Sequence, residues 1–180
     1  MKVFVINLER RKDRLEQLNI HFEYEVFKAT DGIYVHGNDT DKRFRAHLGC
    51  KDSHIRLLKK IVEDDLPMAM ICEDDVHFVK NNFSMPMSFD LLLLGGKNVG
   101  NIIDINDKWR LVDRFHGTHC YIITKDFAKR LIIHLESTKQ HKIDLAISQF
   151  LTKGKCFILK QPIAIQKDGY SDIQFKTISH

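Results

Sequence analysis

Residues 67–79 read PMAMICEDDVHFV, an apolar run that ends in three consecutive carboxylates. A short apolar run bounded by Pro67 fits a strand buried inside a sheet. Three adjacent like charges fit only a place that water or a cation can reach. In extended geometry alternate side chains share a face, which sets Glu73 and Asp75 on one side and Asp74 on the other. Two carboxylates converging from a rigid strand end make a site for a hard divalent cation. Mg²⁺ and Mn²⁺ take oxygen ligands and keep coordination positions open for substrate phosphates. Glu73 and Asp75 are therefore the candidate metal ligands, with Asp75 first; Asp74 is a further ligand or a partner for a ribose hydroxyl. Asp64 and Asp65 provide the contrast: they close a helical stretch, follow no apolar strand, and receive no role.

Outward from that stretch, strand-like and helix-like segments alternate. KVFVINL (2–8) and YEVFKA (24–29) read as strands around ERRKDRLEQLNI (9–20), where Leu15 and Leu18 have helical spacing. Asp31-Gly32 is a turn signal, with Gly32 free to take positive φ. Residues 33–48 are polar and irregular. GCKDSHIRLLKKIVEDD (49–65) predicts a helix with Ile55, Leu58, Ile61 and Val62 on its apolar stripe and Asp52 or Ser53 as its cap. FDLLLLGG (89–96) is a strand stopped by glycines, and NIIDI (101–105) with WRLVDR (109–114) a hairpin. THCYIIT (118–124) and KCFILK (155–160) are strands around helices KDFAKRLIIHLES (125–137) and IDLAISQFL (143–151), before a polar tail. This alternation predicts an α/β fold, a mostly parallel Rossmann-like sheet with helices on both faces, in one domain over residues 1–180. Ligands of such sheets bind at the carboxyl ends of the strands, where NLERR, ATDG and EDD all fall.

The chain has 180 residues, 43% of them hydrophobic and 29% charged, with a net charge of +4. That is the composition of an ordinary water-soluble domain, and charge so dispersed argues against nucleic acid as partner. Cys50, Cys72, Cys120 and Cys156 lack metal-finger spacing and read as reduced structural thiols, which suits the cytoplasm. The run Val3–Leu8 is too short for a signal peptide, and no stretch has the roughly 20 apolar residues of a membrane helix. A homo-oligomer is compatible with this composition.

At the first strand's end, the Asn7 amide can read a base or ribose edge. Arg11 and Arg14, on the helix that follows, can meet phosphates or a uracil carbonyl through their planar forks. His77 shares parity with Asp75 but reads as a packed histidine. Asp168 and His180 in the tail are weaker candidates for a third ligand. Trp109 can stack on a sugar or anchor the hairpin.

Eight stretches in order, VFVINLERRKDRLEQL, FKATDG, LGCKDSHIRLLKKIV, ICEDDV, FDLLLLGG, THCYIITKDFAKRLI, KIDLAI and QKDGYSDIQ, together resemble the glycosyltransferase family 25 enzymes. The family includes bacterial lipooligosaccharide galactosyltransferases and collagen galactosyltransferases. The resemblance implies a GT-A type fold and inverting transfer of a hexose, galactose or glucose, from UDP-galactose or UDP-glucose to a glycan or protein hydroxyl, with Mn²⁺ or Mg²⁺ on the diphosphate. It implies that Thr30, Asp31 and Gly32 form a nucleoside-contacting turn. Gly49, Ser53 and His54, placed at a helix start, would frame the donor pocket, and Asp144 would be the general base. An N-cap is the alternative for Asp144. The chain is shorter than the family pattern between Leu94 and His119, where acceptor-binding elements are expected. Two other readings stand beside this one: a catalytically silent nucleotide-sugar-binding domain and a metal-dependent phosphohydrolase.

Overall fold

The computed structural model describes residues 1–35 and 41–178. The chain opens with β1 (Lys2–Asn7), α1 (Lys12–Glu16), β2 (Glu25–Lys28), α2 (Gly32–Val35) and the long α3 (Lys42–Glu63). Next come β3 (Met68–Glu73), β4 (Val76–Phe78), β5 (Leu91–Leu93) and β6 (Lys97–Asn98). The hairpin of β7 (Ile102–Asp104) and β8 (Trp109–Val112) leads through β9 (Phe115–His116) to β10 (Cys120–Thr124). Helices α4 (Lys125–Ser137) and α5 (Ile143–Ser148), a 3₁₀ turn at Leu151–Lys153, and β11 (Cys156–Leu159) follow. β12 (Ala164–Gln166), β13 (Gly169–Ser171) and β14 (Lys176–Ile178) complete the described chain.

Eight strands form the central sheet in the order β2-β1-β3-β10-β5-β11-β8-β7. Six of them share one direction, and β8 and β10 run against it. The sheet is thus mostly parallel in strand direction. The chain moves from β1 outward to β2, then crosses back over α3 to enter β3 on the other side of β1. The carboxyl ends of β1 and β3 therefore flank a topological switch point, where α/β sheets open a crevice. The reversal of β10 matters to that crevice. Cys120 pairs with Cys72, so the segment entering β10 arrives beside the exit of β3, and Glu73 donates its backbone N–H to the His119 carbonyl at 3.0 Å.

Alternation of side chains divides the core in two. Phe4, Ile6, Ile71, Leu91, Leu93, Tyr121 and Ile123 face Leu57, Leu58 and Ile61 of α3 and Phe127, Leu131 and Leu135 of α4. Val3, Val5, Met70, Leu92 and Ile122 face the second side. That side carries Leu15 of the short α1, the β4–β12 ribbon and loop residues such as Phe83.

Two local expectations are corrected. Helix α3 starts at Lys42, capped by Asp41, whose carboxylate accepts from the N–H groups of Arg43 and Phe44 at 2.9 and 3.2 Å. Neither Asp52 nor Ser53 is its cap, and Gly49, Ser53 and His54 lie inside the helix, where the amides are already paired. Gly32 does not take positive φ. A Cβ there would stand 1.8 Å from the Arg45 carbonyl oxygen and one on Gly49 2.4 Å from the Gly32 nitrogen, so close backbone packing of α2 on α3 requires glycine at both positions. Among the described residues, no helix is long and apolar enough to cross a membrane.

Candidate active site

The EDD triplet sits where the sequence puts it, at the exit of β3, and all three side chains line one cleft. The strand ends at Glu73, however, so strict alternation stops there, and each carboxylate has its own surroundings. Asp74 is 7% exposed and held on both oxygens, by the Asn7 amide at 2.7 Å and the Arg14 guanidinium at 2.6 Å. Burial nevertheless holds its carboxyl above the ordinary value, against the pull of Arg14 and Asn7. Asn7, itself 3% exposed, also donates to the Arg11 carbonyl at 3.0 Å. Its amide nitrogen therefore positions Asp74 and is not presented to a base or ribose.

Asp75 is different. Gln166 donates to its Oδ2 at 2.9 Å and Arg14 stands 3.6 Å away, while Oδ1 is buried and makes no hydrogen bond. Burial, then the charge of Glu73, pushes the Asp75 carboxyl up to about 7. Glu73 accepts from the Thr118 hydroxyl at 2.5 Å and lies 3.4 Å from His54 Nε2. Burial pushes Glu73 up as well, but His54 and Thr118 more than offset that and hold it below the ordinary carboxylate value. The donor set is all-oxygen, carries negative charge, and includes a desolvated carboxylate oxygen with no protein partner. A hard divalent cation fits those residues, with Asp75 and Glu73 as its holders.

Arginines form the opposite wall. Arg10 bridges Asp31 and Asp172, at 2.6 Å in each case, and Arg11 pairs with Asp13 and Asp172. Arg14 adds Asp172 at 3.3 Å to its contacts with the triplet. Thr30 and Asp31 line the same cleft from the end of β2. The Thr30 hydroxyl donates to Asp52 at 2.5 Å, its N–H donates to Ser53 Oγ at 2.8 Å, and Asp31 accepts from the Ile33 N–H at 3.2 Å. Gly32 also lines the cleft. His54 is fully buried at its floor, with Nδ1 2.8 Å from the Tyr121 hydroxyl.

Asp144 lies in the first turn of α5, whose N-cap position is held by Lys142 without a side-chain bond, so the N-cap alternative does not apply. Its Oδ2 accepts from the Gly117 N–H at 3.3 Å and faces His116 Nδ1 at 3.2 Å. It lines an adjoining cleft together with Glu73, Cys50, Thr118 and Gln166, and Glu73, Cys50 and Gln166 line both clefts.

Other candidates lie elsewhere. His77 faces Asn19 at 3.4 Å, Asp168 lines a neighbouring cleft that it shares with Arg11, Arg14, Asp74 and Asp75, and the Trp109 indole donates to the Ser84 carbonyl at 3.0 Å. His180 lies outside the described residues. Asp172, Gln166, Thr118 and Arg10 were not singled out from sequence. Asp172 and Gln166 come from a polar tail with no apolar periodicity, and Thr118 reaches the rim only because β10 is reversed.

Procollagen galactosyltransferase 2 of Homo sapiens is 22% identical over 223 residues, which takes in 99% of this chain and 33% of that protein. A glycosyltransferase 25 family member of Drosophila pseudoobscura pseudoobscura is 28% identical over 129 residues, covering 54% of this chain and 21% of the other. The chain thus spans at most about a third of the length of the curated relatives it matches. Among solved structures, the CTP:phosphocholine cytidylyltransferase of Streptococcus pneumoniae superposes with a TM-score of 0.52 at 10% identity, covering 96% of this chain and 75% of that one. At that identity the likeness is one of fold alone. The sequence model of glycosyltransferase family 25 (LPS biosynthesis protein) matches residues 1–94, the half that carries β1, β2 and the EDD triplet. The chain belongs to glycosyltransferase family 25.

Proposed function

We propose that this chain transfers a hexose from a UDP-sugar to a hydroxyl acceptor, inverting the anomeric centre, with Mn²⁺ or Mg²⁺ at Glu73 and Asp75. The observation that carries the reading is the buried Asp75 Oδ1, which has no hydrogen-bond partner in a cleft walled by Arg10 and Arg14. A divalent cation bound there supplies Lewis-acid stabilisation of the departing diphosphate.

The chain's own residues do the rest. Arg10, Arg11 and Arg14 stand where diphosphate oxygens would lie, and their present partner Asp172 is a carboxylate that such an anion would replace or join. Thr30 and Asp31 face the nucleoside side of the cleft. Asp144 is the base: it takes the proton of the acceptor hydroxyl as that oxygen bonds to the anomeric carbon and the bond to the diphosphate breaks. The Gly117 N–H fixes the orientation of its carboxylate. The galactosyltransferase name of the human relative favours UDP-galactose, with UDP-glucose as alternative and a glycan or protein hydroxyl as acceptor. Membership of a transferase family leaves the phosphohydrolase reading without support.

The test is UDP release from UDP-galactose and UDP-glucose with Mn²⁺, with and without added acceptor hydroxyls. Release that requires the cation and rises with one donor is the expected outcome. Orthophosphate release, or no turnover of either donor despite tight UDP binding, would replace this reading with hydrolysis or with a silent binder.

A further inference from the structure

We propose that Cys50, His54 and Glu73 form a second, softer metal site that takes a thiophilic divalent cation such as Zn²⁺. Cys50 and His54 are four residues apart on α3, so both side chains leave one face of the helix, toward the exit of β3. One donor atom from each of the three residues lies within 4.8 Å of the others. The distance from His54 Nε2 to Glu73 Oε1 is 3.4 Å. Zinc bonds of about 2.0–2.1 Å in a tetrahedron give an edge of about 3.3 Å, so these two donors already stand at ligand spacing. The Cys50 thiol lies within 4.8 Å of the donor atoms of the other two.

His54 supplies a second, independent pointer. It is fully buried; Nδ1 meets the Tyr121 hydroxyl, yet Nε2 makes no aligned hydrogen bond although it faces a carboxylate. A histidine fixed through one ring nitrogen with the other facing a carboxylate is the arrangement of a metal ligand with its supporting contact. Entry is open, because Cys50 is the half-buried member of the four free cysteines and lines both clefts. Three protein ligands leave a fourth position toward the cleft, so the ion is exchangeable and not a closed structural zinc. A thiolate prefers Zn²⁺ over Mn²⁺ or Mg²⁺, which separates this site from an all-oxygen one. Glu73 belongs to both. If the donor reading above holds, Zn²⁺ at Cys50 withdraws Glu73 from the diphosphate site and inhibits transfer; the zinc site itself does not depend on that reading.

The experiment uses the metal-stripped chain with Co²⁺ and Zn²⁺ alone. One Co²⁺ per chain, with thiolate-to-cobalt charge-transfer absorption displaced by Zn²⁺, is the expected result. Loss of a supporting contact costs about 10–100-fold in affinity, so loss of a direct ligand in Cys50→Ser is expected to weaken Zn²⁺ binding by at least about a hundredfold and remove the absorption. Zn²⁺ is also expected to slow iodoacetamide alkylation of Cys50 at least about tenfold, since the free thiolate is the nucleophile. That measurement uses the unmodified chain and stands even if the variant fails to fold. Equal Zn²⁺ affinity in a folded Cys50→Ser, or alkylation at an unchanged rate, would overturn the site and leave the His54–Glu73 approach as a direct contact. Binding of UDP with Mn²⁺ is measured in parallel: its failure counts against the donor reading, and failure of the zinc measurements counts against this site alone.

Discussion

The rim at the ends of β1 and β3 and the outer hairpin of β7 and β8 both carry an arginine–aspartate pair, and they hold it in opposite ways. Arg14 and Asp74 meet at 2.6 Å with side chains 16% and 8% exposed, while Arg110 and Asp104 meet at 2.9 Å with 38% and 61%. The hairpin also leaves Ile102, Ile103 and Ile105 at the surface. Charges desolvated together are tolerated only in a fixed geometry, whereas an exposed pair is interchangeable with water. The inner rim is thus a preorganised charge array, and the outer strands form an adaptable edge. The family match ends at residue 94, before that edge begins.

The strongest way to sharpen this contrast is Asp144→Asn, which removes the proposed base and leaves the arginine wall intact. Transfer should fall about 10²–10⁴-fold with Mn²⁺–UDP affinity unchanged; full turnover would reject the base. Next in size is Arg14→Ala, which strands Asp74 without its cation. Chemical denaturation should show a loss of about 3 kcal/mol or more. A loss near zero would erase the distinction between rim and edge.

A pH series probes the rim more finely. In the metal-free chain the Asp75 carboxyl is raised to about 7 from its ordinary 3.8, so the folded state holds its proton more tightly than the unfolded state. Ionised Asp75 then destabilises the fold, and the penalty grows as pH rises from about 4 through 7. Asp75→Asn in chelator should be more stable than the parent at pH 8, by up to about 4 kcal/mol, with the gain gone near pH 4. A gain that is equal at both pH values would mean that Asp75 carries no such charge penalty. The smallest effect belongs to the edge: Arg110→Ala should leave the denaturation midpoint where it is.

Sequence reveals these two regions unequally. Apolar runs marked β1, β3, β5, β10 and β11, and the carboxyl-end rule brought Thr30, Asp31 and the triplet to one cleft. A buried run carries no sign of strand direction, so the reversal of β10, and with it Thr118 beside Glu73, stayed hidden. The start of α3 was missed because KRFRAHL offers no clean apolar stripe, although Asp41 was available as its cap. Ser53 looked like a cap for the same chemical reason that it works inside: its hydroxyl donates to the Gly49 carbonyl and accepts from the Thr30 N–H. Asp172 shows the limit most plainly. Its meaning comes from arginines 158 to 162 residues away, and no local spacing records that.

Donor binding turns on whether the desolvated oxygen of Asp75 serves a cation that grips a diphosphate. Calorimetric titration of UDP into the chain and into Asp75→Ala, each with Mn²⁺ and with chelator, tests it most directly. Binding that needs Mn²⁺ in the parent and disappears in a variant with undiminished thermal stability is the predicted result. Equal UDP affinity in all four titrations would contradict it.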